Sequence, residues 1–128
     1  IQGGRVMLSL APGTRIFLAT TPTDMRKSFD GLFALVEAVI QQDPFAGHLF
    51  LFRNRNRDRV KIMYWDGDGL AIWYKRLEKG TFQFPNDLLA TDEQPPRLEL
   101  RADELAMLLG GIDLRDVRRR KRYRRESA

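Results

Sequence analysis

The chain has 128 residues, of which 43% are apolar and 30% are charged, values close to those of an average globular protein. This length leaves room for one domain. Cysteine is absent and His48 is the only histidine, which excludes disulfides, thiolate chemistry and metal sites built from several histidines or cysteines. We therefore expect no cofactor. The sequence also lacks an apolar stretch long enough to cross a membrane, so we expect a cytoplasmic protein with no membrane partner.

The positive charge is concentrated at the C-terminus. The chain carries 22 basic and 17 acidic side chains, a net charge of +5, and its pI is about 10.0. Residues 112–128 hold 8 of the basic and 3 of the acidic side chains, which accounts for the whole excess. We expect one domain over residues 7–113, upstream sequence over residues 1–6, before the first methionine, and a flexible basic tail over residues 114–128.

The first half of the domain predicts one strand and one long helix. Residues 15–20 are β-rich and bounded by turn residues, which indicates a short strand. From Phe29 to Ile40 the apolar residues recur at helical spacing, which predicts the main helix. Its expected N-cap is Thr23 or Asp24, which accepts a free backbone N–H.

That capping would bring two cations, Arg26 and Lys27, into the first turn of the helix. Cations are mildly unfavourable there, because the N-terminal end of a helix carries a partial positive charge. Beside the free N–H groups of the helix start, the two side chains would suit an anion. This is the first of the predicted nucleic-acid contacts.

From residue 48 to residue 84 the apolar pattern alternates, and turn residues cluster at 54–57, 66–69 and 78–80. This pattern predicts an antiparallel meander, with Arg53 opposite Asp58 across the first turn. Residues 85–96 are interpreted as a connection, Leu98 and Leu100 as a last short strand, and residues 103–109 as a short helix. The predicted fold class is α+β: a small central antiparallel sheet, one long helix, a short C-terminal helix and the basic tail.

The alternation gives the meander one mostly aliphatic face and one aromatic and basic face. The second face contains Phe50, Phe52, Trp65 and Tyr74 together with Arg59, Lys61 and Arg76. These rings are of the type that stacks on bases while the cations hold phosphates. The favoured alternative is that the long helix and the C-terminal helix each bury one face, with the basic stems at the margin. Trp65 and Tyr74 are also the predicted protein-interaction residues.

The remaining predicted nucleic-acid contacts lie in a turn and in the tail. The first hairpin turn brings together Arg53, Arg55 and Arg57, which we expect to be exposed, and for which a solvated turn is an equally good interpretation. The tail contributes Arg118, Arg119, Arg120, Lys121, Arg122, Arg124 and Arg125. Binding of a polyanion by such a segment releases counterions, so its affinity falls steeply with salt. The alternative is a solvated tail without a specific target.

A search for catalytic groups finds weak candidates. Asp66 and Asp68 are adjacent to glycines, and a turn explains this spacing better than a metal site does. His48 stands alone at a strand start and is interpreted as structural. We expect no catalytic residue and no metal.

Several segments, taken together, closely resemble one protein family. They are DMRKSFDGL at 24–32, DPFAGHLF at 43–50, FRNR at 52–55, KIMYWDGDG at 61–69 and WYKRLEKG at 73–80. In this order they resemble the accessory protein that is encoded by the second open reading frame of IS66-class bacterial insertion sequences, often labelled TnpB. The likeness covers residues 7–113. It does not extend to the much larger RNA-guided nuclease that shares this label.

The resemblance implies a genetic context. It implies a role in DNA transposition beside a separate, larger transposase that carries the acidic catalytic residues, and it implies no enzymatic activity here. We expect contact with DNA, the transposase or both; the alternative is a module that docks the transposase or a companion accessory protein without binding DNA. Where relatives tend to have Thr or Ser before the last helix, this chain has Arg101, which weakens the side-chain cap. The basic tail lies beyond the resembling region.

Overall fold

The computed structural model describes residues 10–84 and 95–110. Its elements, in chain order, are β1 (Ile16–Ala19), α1 (Phe29–Leu35), a π-helical continuation of α1 (Val36–Ile40), β2 (Leu49–Arg53), β3 (Arg59–Trp65), β4 (Leu70–Arg76), β5 (Arg97–Leu100) and α2 (Ala102–Leu109). The predicted α+β class is confirmed. Neither helix in the described ranges has the length and apolar character that a membrane crossing requires.

The strands form one sheet in the order β4-β3-β2-β1-β5. Strands β2, β3 and β4 form the predicted antiparallel meander. Strand β1 lies parallel to β2, and α1 provides the crossover connection that a parallel pair requires. Strand β5 pairs antiparallel with β1, so β1 is central and all four of its residues are buried.

The register of the meander explains why its two faces are as predicted. The turn between β3 and β4 has four residues, because Trp65 is paired with Leu70. Across the other turn, Arg53 is paired with Val60, so the prediction that it lies opposite Asp58 is wrong. The difference is two residues, and side chains alternate with period two, so every side chain keeps its predicted face.

Each face of the sheet has its own cover. On the aliphatic face, Leu105 and Leu108 of α2, together with Phe82 and Phe84, pack on residues such as Ile62. On the other face, Leu32, Val36 and Ile40 of α1 pack on Phe17, Phe50, Phe52 and Met63. Phe50 and Phe52 are fully buried, which confirms the core-packing alternative and excludes base stacking by these two rings.

Helix α1 begins later than predicted. A turn precedes it, in which the backbone N–H of Lys27 donates to the Asp24 carbonyl at 3.1 Å. The Asp24 carboxylate accepts the backbone N–H of Arg26 at 2.9 Å, so it stabilises this turn and does not cap the helix. The first helical residue is Phe29 and the N-cap is Ser28. The predicted position of Arg26 and Lys27 in the first helical turn is therefore wrong.

The start of α2 shows what Arg101 does in place of a capping hydroxyl. A guanidinium has only donors, so its side chain cannot accept a helix N–H, and no side-chain cap bond forms. Glu104 makes the reciprocal contact, because its carboxylate accepts the backbone N–H of Arg101 at 2.8 Å. Arg101 therefore supplies no side-chain cap.

Candidate nucleic-acid interface

One end of the sheet carries a cluster of exposed and half-buried basic side chains. The turn after β2 and the chain leaving β4 meet there. We call this region the basic end, and its cations are Arg55, Arg57, Arg59, Lys75, Arg76 and Lys79. Two acidic side chains, Asp58 and Glu78, lie in the same segments. The turn at the opposite end of β4 is acidic and contains Asp66 and Asp68.

Backbone and side-chain hydrogen bonds hold the turn of the basic end in one conformation. The Asn54 side-chain oxygen accepts the backbone N–H groups of Asp58 and Arg59, at 3.1 and 3.0 Å. The Arg57 carbonyl accepts the N–H of Phe82, a core residue, at 2.7 Å. Arg57 itself has a left-handed backbone with φ of 60°. The cations of this turn are therefore presented from a fixed backbone.

The carboxylates of the basic end leave much of its positive charge uncompensated. Asp58 accepts a hydrogen bond from the Asn54 amide at 2.6 Å, and Glu78 pairs with Arg76 at 3.3 Å. Arg59 lies directly opposite Arg76 on neighbouring strands, and like charges in that position repel. Within the described ranges, Arg55, Arg57 and Arg59 form no ion pair. An anion at this end would offset the repulsion.

Arg53 does not belong to this interface, contrary to the prediction that it is exposed. It is 6% exposed, and its guanidinium donates to the Thr20 carbonyl at 2.7 Å and lies 5.9 Å from the centre of the Phe84 ring. Burial lowers the pKa of the guanidinium, and the neighbouring charges of Arg57 and Arg55 lower it further. Arg53 ties the end of β2 to the end of β1.

Lys61 is also buried, with 7% of its surface exposed. Its ammonium group donates to the carbonyls of Met25 and Lys27 at 2.9 and 2.6 Å and lies 4.8 Å from the centre of the Tyr74 ring. Through these contacts the Lys61 ammonium group holds the turn before α1 against the sheet. The prediction that Lys61 contacts phosphate is therefore not supported by its position.

Arg26 and Lys27 are exposed, but they lie before the helix start and not in its first turn. The Arg26 guanidinium pairs with the Asp24 carboxylate at 2.7 Å. This contact, with the backbone N–H of Arg26, lowers the pKa of Asp24 to about 2. Lys27 and Asp24 together line an open cleft of about 110 Å³. A carboxylate beside the cleft disfavours a bound phosphate.

The two predicted protein-interaction residues lie at different depths. Trp65 is half-buried, and its ring meets that of Phe45 edge to face at 5.3 Å. Tyr74 is 47% exposed. Phe45 and Phe29 are 51% and 46% exposed, so aromatic surface remains open at this side of the sheet.

Sequence reasoning missed two members of the basic end. Lys75 follows the alternation of the aliphatic face, and Lys79 lies in the turn cluster at 78–80. The register of the meander shows where both lysines lie. It pairs Lys75 with Val60, and beyond this pair the backbone N–H of Leu77 donates to the Asp58 carbonyl at 2.8 Å. The residues after β4 are thereby held against the turn that follows β2.

The candidate catalytic groups have structural explanations. The backbone N–H of Asp66 donates to the Gly69 carbonyl at 2.8 Å, and Gly67 has φ of 87°, so this segment is a tight turn. The His48 Nδ1 atom accepts the backbone N–H of Arg15 at 3.0 Å, as a structural histidine would. Across residues 10–84 and 95–110, no three acidic or histidine side chains are grouped to hold a metal ion. The tail residues predicted to bind nucleic acid lie outside the described residues.

Comparison with known proteins places the chain in a family. The family model described as "IS66 Orf2 like protein" matches residues 14–119, so the match includes the start of the basic segment. An uncharacterized protein of Sinorhizobium fredii, y4jC, is 36% identical over 114 residues, which cover 89% of this chain and 92% of that protein. A second uncharacterized protein of the same organism, y4hO, is 34% identical over 109 residues, 85% of this chain and 90% of that protein. No solved structure matches the chain. The chain belongs to the IS66 Orf2-like family, which ties it to an insertion sequence as an accessory protein.

Proposed function

We propose that this protein is a non-enzymatic accessory factor of transposition that contacts DNA, alone or within a transposase–DNA complex, through the basic end of the sheet and the basic C-terminal segment. The contact is to phosphates and is largely independent of sequence. The observation that carries the proposal is the set Arg55, Arg57 and Arg59, presented from a rigid turn without a carboxylate partner in the described part of the chain.

The chemistry of the basic end favours phosphate over base recognition. Guanidinium groups match phosphate oxygens in geometry and charge. Base recognition needs exposed rings or a helix that enters a groove, and the central rings of this face are covered by α1. Phosphate contacts position a protein on DNA and carry no sequence information themselves. A shallow sequence preference with a steep salt dependence follows.

The test is a salt series of binding to duplex and single-stranded DNA by the full chain and by the double variant Arg55→Gln, Arg59→Gln. Each lost phosphate contact is expected to reduce the slope of log K against log salt by about 0.9. The variant is therefore expected to bind more weakly at low salt and to show a slope smaller by about 2.

The matched control is the double variant Arg97→Gln, Arg101→Gln, which removes the same charge next to the opposite edge of the sheet. It is expected to retain the slope of the unchanged protein. Equal losses in both variants would mean that only net charge matters, and the basic end would then be no interface. An unchanged slope in the Arg55, Arg59 variant would refute the proposal for this turn.

A second candidate function is docking of the transposase or of a companion accessory protein. The observation that favours it is the aromatic surface around Tyr74, Phe45 and the half-buried Trp65. Such an association tolerates high salt, unlike phosphate binding. Co-purification with the transposase at high salt that is lost in Tyr74→Ala or Trp65→Ala would support docking, and co-purification unaffected by both variants would exclude this surface.

A further inference from the structure

The two outer strands of the sheet differ in how they are protected. Within residues 10–84 and 95–110, no strand pairs with the outer edge of β4 or of β5. Strand β5 has four residues, alternates charged Arg97 and Glu99 with leucines, and follows Pro95 and Pro96. Short length, charge and proline are the devices by which proteins prevent edge pairing. Strand β4 has seven residues and begins with five consecutive apolar ones, Leu-Ala-Ile-Trp-Tyr.

The backbone of β4 offers its free hydrogen-bonding groups at known positions. Hydrogen bonds from Asp66 to Gly69 and from Leu77 to Asp58 lie at the two ends of the β3–β4 ladder. Together with the register, they assign the bonds toward β3 to Ala71, Trp73 and Lys75. The N–H and C=O groups of Leu70, Ile72 and Tyr74 therefore point away from the sheet. With respect to residues 10–84 and 95–110, another strand can pair there without any change in β4.

The charges around β4 select a second copy in antiparallel orientation. Acidic Asp68 precedes the strand, and basic Arg76 ends it. If two copies pair about a two-fold axis at Ile72, each Asp68 lies opposite Arg76 of the second copy, and each Leu70 lies opposite Tyr74. A parallel arrangement would place like charges together. Asp68 would also supply negative charge where Arg59 and Arg76 face each other.

The side chains of the same register are compatible with this pairing. Ile72 and Leu70 already belong to the margin of the cluster under α1, and their exposed sides would meet the second copy. On that face Tyr74 is 47% exposed, and Leu70 of the second copy would cover it. The apolar layer under α1 would thus continue from one copy into the other.

We propose that two copies of this chain associate by antiparallel pairing of their β4 edges about an axis at Ile72, so that one sheet runs through both copies. The interface is isologous and closes on itself, which leaves no free β4 edge. It does not depend on the proposed DNA contact, because Arg55, Arg57 and Lys79 remain outside the paired strand.

The first test is sedimentation velocity of the full chain, free of nucleic acid, over a concentration series. We expect a concentration-dependent dimer. Tyr74→Pro removes an outward N–H and no bond to β3, so it is expected to abolish the dimer while the circular dichroism spectrum is retained. Tyr74→Ala is the matched control, since it removes the ring and keeps the N–H, and it is expected to weaken the dimer less. Equal effects of the two variants would overturn backbone pairing.

The second test does not depend on the tolerance of β4 for proline. Asp68→Arg and Arg76→Asp each create two like-charge contacts in the dimer and are each expected to weaken it about tenfold. The combined variant restores opposite charges and is expected to recover the dimer. A monomeric unchanged chain, or a well-folded double variant that fails to recover the dimer, would overturn the proposal. A monomer that takes up a strand of another protein at β4 would also overturn it.

Discussion

Two basic residues, Arg53 and Lys61, show how position decides the role of a charge in this protein. Both belong to strands that lead to the basic end, yet both are buried and donate to backbone carbonyls. Their partners, Thr20, Met25 and Lys27, bracket the segment between β1 and α1. The two side chains therefore fasten this segment to the sheet.

Replacement of Lys61 is expected to destabilise the fold. Lys61→Met keeps the packed stem and removes the donor, so the carbonyls of Met25 and Lys27 lose a buried partner. The expected loss is about 1–3 kcal/mol in the free energy of unfolding, measured by urea denaturation. Lys75→Met, the same change at an exposed position of β4, is the control and is expected to stay within about 0.5 kcal/mol. Equal effects would contradict the role assigned to Lys61.

Asp24 is expected to titrate unusually low. Its pKa is about 2, first because the Arg26 guanidinium donates to the carboxylate and then because the backbone N–H of Arg26 does. A carboxyl whose pKa is depressed by folding stabilises the fold above its unfolded pKa, and this contribution is lost as the pH falls through the folded value. In Arg26→Ala, the pKa of Asp24 is expected to move toward its ordinary value. NMR titration of the Asp24 carboxyl measures this change. An unshifted Asp24 in the unchanged protein would exclude the ion pair in solution.

At the scale of elements, α1 ends by a left-handed residue that is not glycine. The π-helical segment Val36–Ile40 is followed by Gln41, whose φ is 60°. Side chains other than glycine and asparagine are strained in this region. Strand β2 begins at Leu49, eight residues after Gln41, so the strain is confined to the helix end.

Gln41→Gly is therefore expected to stabilise the protein. The relief of left-handed strain exceeds the entropic cost of glycine, for a net gain of about 0.5–1 kcal/mol in the free energy of unfolding. The control is Gln42→Gly at the next position, which does not have a positive φ and is expected to lose stability. A loss in both variants would contradict the left-handed conformation at Gln41.

The elements also show what local sequence patterns can and cannot predict. Periodicity predicts the meander, the two faces of the meander and the buried stripe of α1. Each of these features depends on residues that are close in the chain. The start of α1 was missed because Asp24 makes a competing local turn with Arg26. The place of β1 between β2 and β5 depends on pairings that are distant in sequence. The burial of Arg53 could not be predicted either. Alternation shows which face of the sheet a side chain is on, but it does not show which residues pack over that face.

At the scale of the whole molecule, acidic and basic side chains lie at opposite ends of strand β4. The turn with Asp66 and Asp68 lies at one end of β4, and the basic end lies at the other. This separation suits two contacts at once: a polyanion at the basic end and an antiparallel second copy along β4. The buried cations Arg53 and Lys61 take no part in either contact.

The last prediction concerns how the turn and the tail combine in DNA binding. Each phosphate neutralised releases its own counterions, so independent contacts add in the salt slope. Three full-length variants test this: one has Gln at residues 118–122, one has Gln at Arg55 and Arg59, and one combines both changes. The reduction in slope of the combined variant is expected to equal the sum of the reductions in the other two. Fluorescence anisotropy over a salt series measures this. If the tail change alone removed all salt dependence, the basic end would make no phosphate contact.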